Sequence, residues 1–281
     1  MPSETYTFYS DQMPSLCVID SAGKEHIFGD ADKVYELASL TKILTAITTC
    51  DLVASGFLDL DENIEDINFT KGKVVLKDLL SHVSGLSFNG DVEQIEPQSK
   101  RLYSNLGYEI IDNFISKKLE NDFGKINIAE LFNQGFKHII AEQSDAHIDF
   151  YGSPAYGAKA NLSAIYALLR QMRNPTFIDP EMHKLMTTTY LENLRGIIPG
   201  WGNYVHCAFG LGYEIKSDKS PHWMGSISSS RTFGHFGQSG VFVMHDPESN
   251  VSIAALSENK FGQWAKDLWP GYVDEIIESY S

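Results

Sequence analysis

Residues 35–56 read YELASLTKILTAITTCDLVASG. Leu40, Ile43, Leu44, Ile47, Cys50 and Val53 recur at the spacing of one helix face, and Gly56 closes the run. Ser39 stands at the start of this helix and Lys42 one turn on, so their side chains share a face. A hydroxyl there lies at the positive end of the helix dipole, with backbone N–H groups free for an oxyanion. The lysine takes the serine's proton if its neighbours keep it partly neutral. The competing reading makes Ser39 a helix cap and Lys42 a solvated cation. Two other pairs share the S-x-x-K spacing, Ser21 with Lys24 and Ser257 with Lys260. The first falls in a predicted hairpin turn and the second at a strand end.

On either side of this helix the patterning changes. SLCVID and KEHIFGD predict two strands joined by a turn at Ser21-Ala22-Gly23. Between about 57 and 199 helix signals dominate. VLKDLLSHVSGL predicts a short helix stopped by Gly85, while NLGYEIIDNFISKKLEN and NLSAIYALLRQMRN predict longer amphipathic ones. After 200, FGLGYEIK and VFVMHDPESNVSIAALS predict strands, the latter with a turn over Asp246-Pro247-Glu248-Ser249-Asn250. GQWAKDLWPGYVDEIIESYS predicts a closing helix interrupted at Pro270. The order points to one α+β domain over 1–281, an antiparallel sheet flanked by helices. Its sheet part spans about 1–56 and 200–281, and an all-helical subdomain is inserted over about 57–199.

Composition bounds the function. Among 281 residues, 37 acidic side chains face 22 basic ones, a net charge of -15 that repels nucleic acid and anionic membrane. Cys17, Cys50 and Cys207 are widely spaced with no C-x-x-C, which argues against a disulfide framework and for a reducing compartment. The opening MPSETYTFYSDQMPS holds no apolar run and no later stretch approaches a membrane span, so a cytoplasmic location is expected. No G-x-x-x-x-G-K-[ST], G-x-G-x-x-G or H-x-x-x-H is present, and neither metal nor cofactor is expected. GQSGV misses G-x-S-x-G by one position. Trp201, Tyr213 and Trp223 read as core aromatics.

Two further motifs bear on chemistry. Tyr103-Ser104-Asn105, the single Y-x-N, precedes a helical pattern and can aim both its tyrosine and its asparagine into a cleft. A tyrosine near a lysine ammonium loses its proton more readily and serves as a base; the asparagine amide holds a substrate carbonyl. His235-Phe236-Gly237 opens a predicted strand, where glycine admits a close ligand and the N–H of Gln238 completes an oxyanion hole with that of Ser39. Lys260-Phe261-Gly262 is a rival K-x-G between the last strand and the last helix.

With S-x-x-K, Y-x-N and H-x-G in this order, the chain resembles the penicillin-recognising serine enzymes. The branch is that of class C β-lactamases, penicillin-binding proteins, D-Ala-D-Ala carboxypeptidases and related esterases. YELASLTK resembles that family's entry to the nucleophile helix, and LKDLLSHVSGL its LLTHTSGL signature. His82, within that signature, reads as a packing and hydrogen-bonding residue. The resemblance implies an acyl-enzyme on Ser39, proton transfer through Lys42 and Tyr103, and an acyl group held by Asn105. It also implies an oxyanion hole from the N–H groups of Ser39 and Gln238, and a β-lactamase/transpeptidase-like fold.

Two departures bear on the substrate. His235 and Phe236 stand where family β-lactamases carry the lysine and threonine that grip a carboxylate. A histidine near pKa 6.5 is only partly charged at neutral pH, and phenylalanine donates no hydrogen bond. A serine hydrolase of small neutral or apolar esters, amides or peptides is therefore expected. A true β-lactamase or D,D-peptidase, and a silent binding module of the same fold, are the alternatives.

Overall fold

The apolar run Val241–Asp246 and its partner Val251–Leu256 are buried at every position, without the alternation of a half-exposed strand. The computed structural model, which describes residues 13, 15–65, 71–90, 94–135 and 145–281, shows why: both faces of the sheet are covered. Residues 1–12, on which the absence of a leader segment was read, lie outside the described residues.

The strands are β1 (Ser15–Ile19), β2 (Glu25–Gly29), β3 (Tyr35–Glu36), β4 (Arg101–Leu102), β5 (Ile148–Phe150), β6 (Ala158–Ala160), β7 (Gly196–Ile198), β8 (Gly202–Tyr204), β9 (Glu214–Ile215), β10 (Phe233–Gly237), β11 (Val241–Asp246) and β12 (Val251–Leu256). The helices are α1 (Thr41–Ala54), α2 (Leu76–Leu80), α3 (Asn105–Phe123), α4 (Ile128–Gly135), α5 (Leu162–Arg173), α6 (Pro180–Thr187) and α7 (Gln263–Tyr280). Six strands form one antiparallel sheet in the order β2-β1-β12-β11-β10-β9. The expected hairpin is its first turn, closed by the Gly23 N–H on the Asp20 carbonyl at 2.9 Å.

One face of the sheet carries Cys17, Ile19, Val243, Ala254 and Leu256 against α1 and α5; the other carries Leu16, Val18, Phe242, Met244 and Ile253 against α7. Helix α1 is buried almost all round, its threonines included, because it runs between the sheet and the helical half.

Several boundaries differ from the sequence reading. Helix α7 continues through Pro270. The ring removes one helix hydrogen bond and costs about 3 kcal/mol. Trp269, Val273, Ile276 and Ile277, seated against the sheet, each return about 1.5–3 kcal/mol. Helix α2 ends at Leu80, ahead of Gly85, because His82 takes a left-handed conformation at φ 62°. FGLGYEIK contributes only Glu214 and Ile215 to the sheet, since Gly212 turns at φ 87° and lies where a Cβ would meet the Ala46 Cβ at 2.4 Å. The stretch 57–199 is not wholly helical: it holds β4, β5, β6 and β7, which form the small sheets β3-β6-β5 and β4-β7-β8 with β3 and β8 from outside it, and its α5 packs on β1, β11 and β12.

Candidate active site

Ser39 sits in a short 3-10 turn, Ala38–Leu40, that leads into α1. The residue before it, Ala38, is held at φ 45°, a conformation that a residue with a Cβ adopts only under constraint from its surroundings. Neither helix start is capped by a side chain, so Ser39 is not spent as a cap.

Lys42 is 0% exposed, which excludes the solvated alternative. Its Nζ donates to the Asn105 Oδ1 at 2.8 Å and to the Ala155 carbonyl at 2.9 Å, and lies 3.3 Å from the Ser39 Oγ. Burial holds its pKa well below 10.5, against an opposing pull from Glu109. In its neutral form the amine has two protons and one lone pair; with the protons on the two carbonyl oxygens, the lone-pair direction faces the serine.

Tyr103 and Asn105 flank the start of α3, where the Ser104 Oγ caps the helix by accepting from the Gly107 N–H at 3.0 Å. The strand before them is anchored by Arg101. Its buried guanidinium donates to the carbonyls of Cys207 (2.5 Å), Tyr190 (2.6 Å) and Leu191 (3.2 Å), and to that of Ser81. Sequence reasoning missed this residue, because its acceptors are neutral carbonyls far along the chain. Lys42 lies over the Tyr103 ring, 4.8 Å from its centroid. Burial pushes the Tyr103 pKa up, Ser39 pulls it down less strongly, and Glu214 adds to the rise. Burial thus acts against the expected easier loss of the Tyr103 proton.

His82 packs 4.3 Å, centroid to centroid, from the Tyr103 ring, and its Nδ1 accepts from the Ser104 N–H at 3.2 Å. It supports the tyrosine from behind, as its placement in the signature suggested.

Strand β10 brings the third motif to the same place. The His235 Nδ1 lies 2.7 Å from the Phe236 carbonyl, and a carbonyl only accepts, so this nitrogen carries the ring proton. Nε2 is left bare, 3.4 Å from the Tyr103 hydroxyl, which donates to it. Burial, with help from Lys42, pushes the His235 pKa down to about 4. The partly charged histidine expected at neutral pH is therefore corrected to a neutral one. Phe236 lies on the opposite face of the strand. A strand alternates its faces, so its ring turns away from His235 and packs among Trp223, Phe261 and Trp269 under α7, while Phe236 still lines the cavity. Gly237 is where β10 meets the Ser39 turn: a Cβ there would stand 2.4 Å from the Leu37 carbonyl and 3.3 Å from the Ala38 Cβ. That approach sets Gln238 beside Ser39 on one cavity wall. The rival Lys260-Phe261-Gly262 lies elsewhere, its Phe261 N–H spent on the Gln238 carbonyl at 2.9 Å.

Ser39, Tyr103, Asn105, His235, Phe236 and Gln238 line one cavity of about 400 Å³, with Phe88, Tyr156, Ile198, Pro199 and Phe209 supplying apolar walls. Trp201, Tyr213 and Trp223 are not among its lining residues. Glu214 is, and sequence reasoning missed it; an acid inside the otherwise apolar FGLGYEI was the available signal. It accepts from the His222 Nε2 at 2.6 Å and the Trp223 Nε1 at 2.8 Å, and pairs with Lys219 at 3.5 Å. Burial alone would raise its pKa, but His222 and Lys219 with these hydrogen bonds hold it down to about 2.

These groups fix the sign of the acid response. His235 and His245, both at about 4 when folded, take up protons more readily unfolded, and so does Glu214. Each contributes stability that is present above its unfolded pKa and lost as pH falls through the folded value. Thermal melts should therefore fall first between about pH 6.5 and 4, through the histidines, and again toward pH 2, through Glu214. A melting temperature that is flat from pH 7 to 4 would contradict the buried neutral histidines.

With this geometry in hand, comparison with known proteins places the chain. The family model described as β-lactamase matches residues 12–275, and the chain belongs to that family. A β-lactamase from Mycobacterium bovis is 30% identical over 95% of this chain and 96% of its own, with a TM-score of 0.85. Unliganded simvastatin synthase from Aspergillus terreus, 16% identical over 96% and 94%, superposes at 0.71. EstCE1, a hydrolase with promiscuous acyltransferase activity, is 13% identical over 95% and 93%, with a TM-score of 0.69. These last two show the fold alone. Among curated protein sequences none matches.

Proposed function

We propose that the protein is a serine hydrolase that works through an acyl-enzyme on Ser39, acting on small esters or amides with neutral, apolar acyl groups. The observation that carries this is the buried Lys42 Nζ, 3.3 Å from the Ser39 Oγ and otherwise committed to two carbonyl oxygens. Lys42 accepts the serine proton as Oγ attacks the carbonyl carbon. The N–H groups of Ser39 and Gln238 receive the developing oxyanion. Tyr103 passes a proton to the leaving group and regains one through Lys42, with His235 Nε2 accepting the tyrosine's resting hydrogen bond. Water then releases the acyl group by the same route in reverse, while Asn105 holds both the lysine and the acyl carbonyl.

The preference for neutral acyl groups is supported by a neutral His235, a Phe236 ring turned into the core, and apolar cavity walls. A carboxylate on the substrate finds no cation there, and Glu214 repels it. Three buried free thiols fit a reducing compartment. Among the described residues no helix is long and apolar enough to cross a membrane.

A second reading, β-lactamase or D,D-peptidase, is favoured by the resemblance to the Mycobacterium bovis β-lactamase. The test compares p-nitrophenyl butyrate, p-nitrophenyl hemisuccinate and nitrocefin, with Ser39→Ala as control. Butyrate turnover at least tenfold above hemisuccinate, lost in Ser39→Ala and with little nitrocefin hydrolysis, is expected. Efficient nitrocefin turnover selects the second reading, and no reaction with any substrate leaves a binding module.

A further inference from the structure

Glu109 lies one helical turn beyond Asn105 on α3, and the turn at 153–157 packs beside it. The Ser153 hydroxyl donates to the Glu109 carboxylate. The same Ser153 oxygen accepts from the Ala155 N–H at 3.1 Å, and the Ala155 carbonyl accepts from the Lys42 Nζ at 2.9 Å. The carboxylate on α3 is thus linked to the amine on α1 by hydrogen bonds on either side of the Ala155 backbone.

The turn is tied to α1 at two more points: the Thr45 hydroxyl donates to the Pro154 carbonyl at 2.7 Å, and the Thr41 hydroxyl accepts from the Ala158 N–H at 3.0 Å. Gly157 allows it to close, because a Cβ there would stand 2.4 Å from the Tyr151 carbonyl. The segment behaves as a strap laid across the lysine, fastened to α1 through hydroxyls and to α3 through Glu109.

We propose that Glu109 is a positioning residue for Lys42: through Ser153 it holds the strap whose Ala155 carbonyl locates the amine, and its negative charge sets how readily that amine keeps a proton. The proposal rests on reading Lys42 as the base. The groups that face Lys42 make Glu109 the distinctive one. Asn105 and Ala155 present neutral oxygens, and Ser39 a hydroxyl. Tyr103 and Tyr108 present ring faces at 4.8 and 5.4 Å. His82 and His235 are both held neutral by burial. Glu109 is the carboxylate that opposes the desolvation of the lysine. Its charge acts against burial, favouring the protonated amine, while burial favours the free base.

Glu109→Gln isolates the charge, because its amide oxygen still accepts from Ser153. Ser153→Ala isolates the strap, because the carboxylate stays. The primary readout is the titration midpoint of Lys42 by NMR of protein carrying 13C-labelled lysine, the resonance identified by its absence in Lys42→Met. The expected result is a midpoint lowered by about one unit in Glu109→Gln, the size of one partly screened charge. The midpoint should stay nearly in place in Ser153→Ala. Ester turnover at the pH optimum should fall about tenfold in Ser153→Ala, with KM changed less than kcat, as loss of a located base implies. An unmoved midpoint in Glu109→Gln overturns the electrostatic half, and unchanged kcat in Ser153→Ala overturns the strap. If the wild type shows no ester turnover and no fluorophosphonate label on Ser39, the hydrolase reading fails. The Lys42 titration still decides the role of Glu109.

Discussion

Replacing Lys42 with methionine is expected to cut ester turnover by about a thousandfold while leaving the folded protein as stable as before, or more so. The activity term follows from removing a general base, which is typically worth 10²–10⁴ in rate (roughly). The stability term has the opposite sign because Lys42 is fully buried and bonds only to neutral oxygens. Its desolvation is opposed by no carboxylate in direct contact, and methionine fills a similar volume without that penalty. The loss of donors to Asn105 and Ala155 takes back part of the gain, about 1 kcal/mol each. Ester kinetics and thermal melts of the same sample settle both halves. Activity within tenfold of wild type would remove Lys42 from the mechanism, and a large fall in melting temperature would mean that the lysine is held for the fold.

Arg101→Ala is expected to do the reverse, lowering stability by about 3–5 kcal/mol and activity only as a consequence. The guanidinium bridges carbonyls of Ser81, Tyr190, Leu191 and Cys207, each buried or partly buried and each a lone pair without a donor once the side chain is gone. For a chain of this length that corresponds to a melting temperature lower by roughly 10 °C. Arg101→Lys recovers little, since one ammonium cannot reach acceptors spread over a guanidinium's fork. The measurement is a thermal or urea melt, and a fall of less than about 1 kcal/mol would mean that water replaces the guanidinium at little expense.

Much of this organisation could be read from the chain in advance, and the exceptions share a cause. Helix α1 was legible because Leu40, Ile43, Leu44 and Ile47 repeat at helical spacing and Gly56 ends it. The convergence of Ser39, Tyr103, Asn105 and His235 on one cavity was legible only through the order of three short motifs. Periodicity alone says nothing about contacts across 60 or more positions. What escaped depends on surroundings supplied by distant segments. The low pKa of His235 comes from burial beside Lys42, and the raised pKa of Tyr103 from its burial, with Glu214 adding less. Pro270 reads as a helix break until the apolar face that carries α7 past it is known. That Phe236 also packs against Trp269 follows from strand register, which motif order does not show. Glu214 and Arg101 have no local signature of their partners at all.

Helix α1 has almost no solvent face, and this has a consequence for how the chain folds. A helix buried on every side gains little from forming alone, because its apolar surface has nothing to cover it until both neighbouring layers dock. Ser39 and Lys42 therefore acquire their 3.3 Å separation late, together with the closing of the sheet on the helical half. Reactivity at the serine then reports the population of fully assembled molecules rather than of any partly folded form. During refolding, covalent labelling of Ser39 should appear with the slowest recovery of native fluorescence, even where helical circular dichroism has returned earlier.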